Sequence, residues 1–248
     1  MHHAIFIVSR RALTRSTIAL LSLLFGCKTS YDKMDEVEKA KLLHQLRKQA
    51  EEQLGRFQKS EEDPSGVDID ALLKYVELHK QTTEIAPSSC PNCFALYGQA
   101  LGRLARYYQT LVEAFENDLK TAPPEEKPSI EAKIKKYRQE VVETLQRSNR
   151  QFQVYFNNSG EIVNPYWYFW VVSQYEMLED YRHAIFYLNL YAESFNLNED
   201  QRKEVADLKK TYQEKQRRQE DADLRRELED EGNPKAPRAD AKRPQTAN

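Results

Sequence analysis

Two cysteines, Cys90 and Cys93, stand one helical turn apart in Cys90-Pro91-Asn92-Cys93. This spacing permits three chemistries: thiol–disulfide exchange, metal ligation, or a local disulfide or pair of buried thiols that fixes a helix start. A thiol at a helix N-terminus is more acidic, because the dipole favours thiolate. Redox catalysis with this motif is expected in a βαβ context, which the chain lacks. A metal site needs two further ligands, and the five histidines, at 2, 3, 44, 79 and 183, form no paired spacing. The structural reading is therefore favoured, and no metal or other cofactor is expected. A second cluster is aromatic: Tyr166, Trp167, Tyr168, Phe169 and Trp170 are consecutive. On a helix these point around the whole circle. They are either buried on both faces or partly line a groove for peptide or glycan. Tyr166, Trp167 and Trp170, with Arg182 nearby, are the candidate partner-binding residues, since aromatic and arginine side chains are common hot spots.

No nucleophile–base pair, phosphate-cradling glycine loop or HExxH is present, so no catalytic residue is assigned and a non-enzymatic role is expected. Carboxylate pairs such as Glu125-Glu126 and Glu199-Asp200 read as helix N-terminal charges that favour the dipole. His183 reads as packed or exposed rather than catalytic.

The third cysteine, Cys27, follows Gly26 at the end of the apolar run Ile18–Gly26, behind Arg10, Arg11 and Arg15. A positive segment, a short apolar core and a small residue make the layout of a secretory signal. Nine apolar residues span about 14 Å as a helix, too little for a bilayer core of about 30 Å. Leu24-Phe25-Gly26-Cys27 resembles the lipobox of bacterial lipoproteins. The resemblance implies cleavage before Cys27 and acylation of that residue, which anchors residues 27–33 as a tether to a membrane. Buried acyl chains contribute about 0.8 kcal/mol per CH₂. By the same resemblance, in which an aspartate after the cysteine often retains a lipoprotein at the inner membrane, Lys28 implies the periplasmic face of the outer membrane. Ser9-Arg10-Arg11-Ala12-Leu13-Thr14-Arg15 resembles a twin-arginine export signal, and arginines also belong to an ordinary signal, so both routes stay open.

Removing residues 1–26 shifts the formal net charge from −2 to −5, so no basic excess points to nucleic acid. Glycine is scarce, with seven in 248 residues, and Leu, Ala, Glu, Lys, Gln and Arg abound, which suits long helices. A first helix is expected over 34–58, with a stripe of Leu43, Leu46, Ala50, Leu54 and Phe57. A second starts after Asp68 or Asp70 and carries Ile69, Leu72, Leu73 and Val76. The third has the clearest stripe: Phe94, Tyr97, Leu101, Leu104, Tyr108, Leu111 and Phe115, a near-heptad that wants a partner. Gly98 and Gly102 beside it predict close approach by a neighbouring helix. That partner is expected to be the next helix, with Ile130, Ile134, Tyr137, Val141, Leu145, Phe152 and Tyr155.

Residues 164–197 resemble a tetratricopeptide repeat, a helix–turn–helix unit of 34 residues. Tyr175, the turn Glu179-Asp180-Tyr181, Ala184, Leu188 and Phe195 carry the match, while Val172, Tyr191 and Asn196 depart from the pattern. The resemblance implies stacked helix pairs. A last helix capped by Asn198 docks through Val205, Leu208 and Tyr212, then becomes almost wholly charged. Residues 231–248 read as a disordered tail.

The expectation is an all-α chain. Helix hairpins over 34–230 stack as a short repeat-like solenoid with a long C-terminal helix. Its expected role is a lipid-anchored adaptor or assembly scaffold for envelope proteins or extended peptide segments. The alternatives are a redox protein using Cys90 and Cys93, or a passive structural or glycan-binding lipoprotein.

Overall fold

The computed structural model of the chain describes residues 31, 34–61, 66–87, 90–160 and 163–232. Cys27 and residues 233–248 lie outside them. The protein is all-α. Among the described residues there are seven helices and no strand. They are α1 (Glu36–Glu61), α2 (Ile69–Ile85), α3 (Pro91–Thr121), α4 (Lys127–Asn158), α5 (Tyr166–Met177), α6 (Tyr181–Ser194) and α7 (Glu199–Gly232). None of the described helices is long and apolar enough to cross a membrane. The chain divides into two compact units, one ending at Cys93 and one starting at Phe94, within α3.

The N-terminal unit is the antiparallel hairpin α1–α2 with the start of α3. Helix α1 opens on a capping box. The Glu38 backbone N–H donates to Asp35 Oδ1 (2.8 Å), and the Asp35 N–H donates to Glu38 Oε2 (3.3 Å), so two orphan donors are satisfied together. Asp68 caps α2 by accepting from the Ala71 N–H at 3.0 Å. It also pairs with Arg56 of α1 at 2.9 Å, which ties the two ends of the connection. Leu46, Ala50 and Phe57 of α1 are buried, as are Leu72, Tyr75, Val76 and Ile85 of α2. The expected stripes thus face inward, except Leu73, which is exposed.

In the C-terminal unit α3 and α4 run antiparallel. Ser148 donates to the Gly98 carbonyl at 2.6 Å, Arg147 donates to the Tyr97 hydroxyl at 3.1 Å, and Arg138 pairs with Glu116. Tyr137 stacks on Phe115. Proline in the first turn starts α4 at little cost, because that N–H has no intrahelical partner. Helices α5 and α6 form a hairpin on α4, and α7 returns along α6. Its core holds Phe152, Tyr155, Val171, Ala184 and Leu188, and Val205 and Tyr212 dock α7 on it. The α5–α6 turn has Glu179 at φ 55°, and Asp180 caps α6 by accepting from the His183 N–H. Asn198 and Gln201 make a second reciprocal box at the start of α7. The helix continues through Gly232, two residues into the expected tail. Its i,i+3 and i,i+4 pairs include Arg226–Asp223 and Gln216–Glu220, and such pairs hold an exposed helix without a core.

The expectation for the two glycines is half corrected. A Cβ on Gly98 would lie 2.8 Å from Phe152 of α4, the next helix. On Gly102 it would meet Gln174 Nε2 at 2.7 Å and Trp170 Nε1 at 2.9 Å, both on α5. One turn of α3 separates the glycines, and this turn carries the contact from one neighbour to the other.

Candidate functional site

The five aromatics at the start of α5 do point around the circle, and most of the circle is covered. Trp167, Tyr168 and Trp170 are buried and Phe169 is half-buried. Trp167 packs on Phe152 of α4 with ring centroids 5.7 Å apart. Tyr168 lies 4.7 Å from Phe156, and Phe169 meets Tyr191 of α6 edge-on at 4.7 Å. Trp167 and Trp170 are therefore core residues with little area for a partner. Tyr166 is 49% exposed and lies against Trp167 and Trp170, at 5.2 and 5.9 Å.

Trp170 has a second set of neighbours, from α3. The Arg106 guanidinium lies 4.6 Å from its ring centroid and that of Arg103 lies 5.9 Å away. Cation–π contacts of this kind contribute about 0.5–2 kcal/mol. Neither arginine pairs with a carboxylate among the described residues. At the same place Trp170 Nε1, Arg103 Nε and both amide atoms of Gln174 are buried without a partner. Gln174 is only 2% exposed. The amide can be turned either way, but the donors of Trp170, Arg103 and Gln174 outnumber the one amide oxygen in both settings. Trp170 Nε1 and Gln174 Nε2 face Gly102 across the α3–α5 contact, so these donors lie inside the packing, while Arg103 and Arg106 make the outer edge positive and the exposed Tyr166 lies against the same Trp170. The complement of that edge is a hydrogen-bond acceptor such as a carboxylate or peptide carbonyl.

Arg182 does not join this set. It is exposed in the first turn of α6, next to the α5–α6 turn, and Tyr166 starts α5 at the opposite end. Antiparallel pairing sets the beginning of α6 against the end of α5, as the stacking of His183 on Tyr175 at 5.0 Å records. His183 is exposed and its Nδ1 sits 2.7 Å from Asp180. Nearby, Glu176 accepts from Tyr212 (2.9 Å) and Lys215 (2.7 Å) of α7. Burial pushes its carboxyl up, but those hydrogen bonds and the Lys215 charge outweigh it, and the net shift is down. Burial and then the hydrogen bond to Glu176 push the Tyr212 phenol up. These groups clamp α7 onto the hairpin.

In the N-terminal unit Cys90 and Cys93 are joined in a disulfide across the first turn of α3. Arg47 of α1 points at it, with Nη2 2.9 Å from Cys90 Sγ and 3.3 Å from Cys93 Sγ. Its Nε is buried without a partner. His79 of α2 is 4% exposed, and its Nδ1 also lacks a partner. Burial first, and the Arg47 charge second, push the His79 pKa down to about 4. No group of three or more metal-ligating side chains occurs among the described residues.

The chain matches no family model, no curated protein and no solved structure. Its own geometry carries the functional argument. Arg47, His79, Arg103, Arg106 and Gln174 were not singled out from sequence. Only Arg103 and Arg106 had a signal there: they follow Gly102 on α3 by one and four residues, so whatever approaches that glycine passes beside them.

Proposed function

We propose that this protein is a lipid-anchored, non-enzymatic adaptor of the bacterial cell envelope, which docks extended segments of other envelope proteins on its C-terminal unit. The anchor is Cys27, argued from Leu24-Phe25-Gly26-Cys27, and its location is the periplasmic face of the outer membrane. The observation that carries the docking role is the edge made by Tyr166, Arg103 and Arg106, which the buried Trp170 holds together from beneath. It combines an exposed aromatic with two cations that lack an acid partner among the described residues. An extended peptide with an acidic side chain pairs with Arg103 and Arg106, and Tyr166 packs beside it. Tyrosine and arginine contribute most to interfaces when the water around them is excluded.

Site-specific crosslinking in intact cells tests this reading. A photoreactive residue at position 166 is expected to give a discrete protein adduct, which Arg106→Glu abolishes. An adduct pattern that Arg106→Glu leaves unchanged argues against the edge as the docking site. Mass spectrometry of the purified full chain tests the anchor: it should begin at an acylated Cys27, and an unmodified cysteine there would remove the membrane from the account.

A further inference from the structure

The contact of Arg47 with the disulfide is poorly matched to the oxidised state. The two sulfurs are its only hydrogen-bond partners among the described residues. A disulfide sulfur is neutral and a weak acceptor, as sulfur generally is. Bringing a guanidinium partly out of water towards it costs free energy that the contact returns poorly. The balance changes when a thiolate stands at the same place. A hydrogen bond between two charged groups is roughly twice as strong as a neutral one, and low local dielectric increases the attraction further. Cys90 also immediately precedes α3 and Cys93 lies in its first turn, where unpaired N–H groups and the helix dipole favour negative charge. Both effects act only on the reduced form. The other titratable group that Arg47 acts on, His79 from α2, is held neutral at ordinary pH and adds no competing positive charge.

We infer that Cys90–Cys93 is a redox-active pair rather than a structural staple, poised by Arg47 to accept two electrons from a dithiol. Cys90 is the exchanging sulfur. It is 9% exposed against 0% for Cys93, and it is the nearer of the two to the guanidinium. In the forward step a thiolate of the donor attacks Cys90 Sγ. The Cys90–Cys93 bond breaks and its electron pair leaves on Cys93, which takes up a proton. The donor's second thiol loses its proton and attacks the donor sulfur of the mixed disulfide. Cys90 is released as a thiolate against Arg47, and the donor departs as its own disulfide. Stabilising the reduced form in this way makes a disulfide more oxidising. Arg47 is a positioning and charge-stabilising residue for the exchange, and the inference stands independently of the adaptor role.

The test uses the purified full chain, equilibrated with glutathione buffers of graded ratio. Free thiols are trapped by alkylation and counted by mass on the peptide holding Cys90 and Cys93. Arg47→Met is expected to lower the equilibrium constant for reduction at least tenfold, which is about 30 mV for a two-electron couple, and Arg47→Lys to recover part of it. In the reduced protein, the pH dependence of alkylation should place Cys90 below the ordinary thiol value of about 8.5, moving up in Arg47→Met. Circular dichroism checks that the variant keeps its helices. If it does not, the unsubstituted protein decides alone: Cys90 titrating at or above its ordinary value overturns the inference. A reduction equilibrium within twofold of the unsubstituted one in a folded Arg47→Met does the same.

Discussion

Each unit sets arginine against something other than a carboxylate, and the two differ in what surrounds the charge. In the C-terminal unit Arg103 and Arg106 lie on Trp170, backed by aromatic packing that continues through Trp167, Phe152, Phe156 and Tyr187. In the N-terminal unit Arg47 reaches two sulfurs, and a buried neutral histidine shares its field. The first environment depends on shape. The second depends on which groups carry charge. The C-terminal unit should therefore respond chiefly to cavities and overpacking, and the N-terminal unit to protons and electrons.

The largest effect tests the shape-dependent side. Phe152→Ala removes a fully buried ring that touches Gly98, Phe156 and Trp167. A loss of about 3–5 kcal/mol is expected, read by hydrogen exchange in α4–α6. A loss under about 1 kcal/mol would mean the aromatic packing is not what holds this unit.

Next in size is the proton dependence of the other unit. The folded-state pKa of His79, about 4, lies below its ordinary 6.5. Stability from keeping it neutral is fully present above pH 6.5 and falls as pH drops from there towards 4, where the unfolded chain takes up a proton and the folded one does not. The full loss is about 3 kcal/mol. Denaturant unfolding of α1–α2 at pH 7 and pH 4 should show it, and His79→Gln should remove about that much of the acid sensitivity. Equal sensitivity in both proteins would contradict the burial argument.

Paired glycine substitutions sharpen the contrast. At Gly98 an added methyl meets the Phe152 ring at 2.8 Å. That ring is fully buried, so overpacking of about 1–3 kcal/mol outweighs the helix gain of about 1 kcal/mol. Gly98→Ala should lower stability by about 1 kcal/mol. Gly55 of α1 has nothing within 4 Å, so Gly55→Ala should raise it by about 0.5–1 kcal/mol. Thermal midpoints moving in the same direction would refute the distinction. The smallest effect is at the α7 clamp, where Tyr212→Phe strips one hydrogen bond from Glu176. About 1 kcal/mol is expected from unfolding midpoints, and no change would mean that Lys215 alone satisfies the carboxylate.

The helices were legible because their signals are local. Asp68, Asp180 and Asn198 cap where their types say they should; of the α3 stripe, Tyr97, Leu101 and Leu104 are buried, and Phe94, Tyr108, Leu111 and Phe115 are half-buried. The turn at 179–181 was also visible, since its residues are adjacent. What stayed hidden depends on distant pairing. Arg47 lies 43 residues from Cys90, and nothing in the pattern of α1 marks it among its many charges. Gly102 announced a close neighbour but not that α5, rather than α4, supplies it. Arg182 was near the aromatics in sequence and is separated from Tyr166 because the hairpin reverses direction. The division of Tyr166 from Trp167 and Trp170 needed the packing of α4 and α6, which periodicity alone does not give for a helix apolar all round.

The docking edge is the central claim, and crosslinking from two exposed positions of the same unit tests it most directly. Tyr166 stands on the edge. Val142 is also exposed, on α4, outside the set of residues that forms the edge. With a photoreactive residue at each position in turn, the account predicts a discrete protein adduct from position 166 and none of that mass from position 142. The adduct at 166 should disappear with Arg106→Glu. The same adducts from both positions, or none from 166 in intact cells, would contradict it.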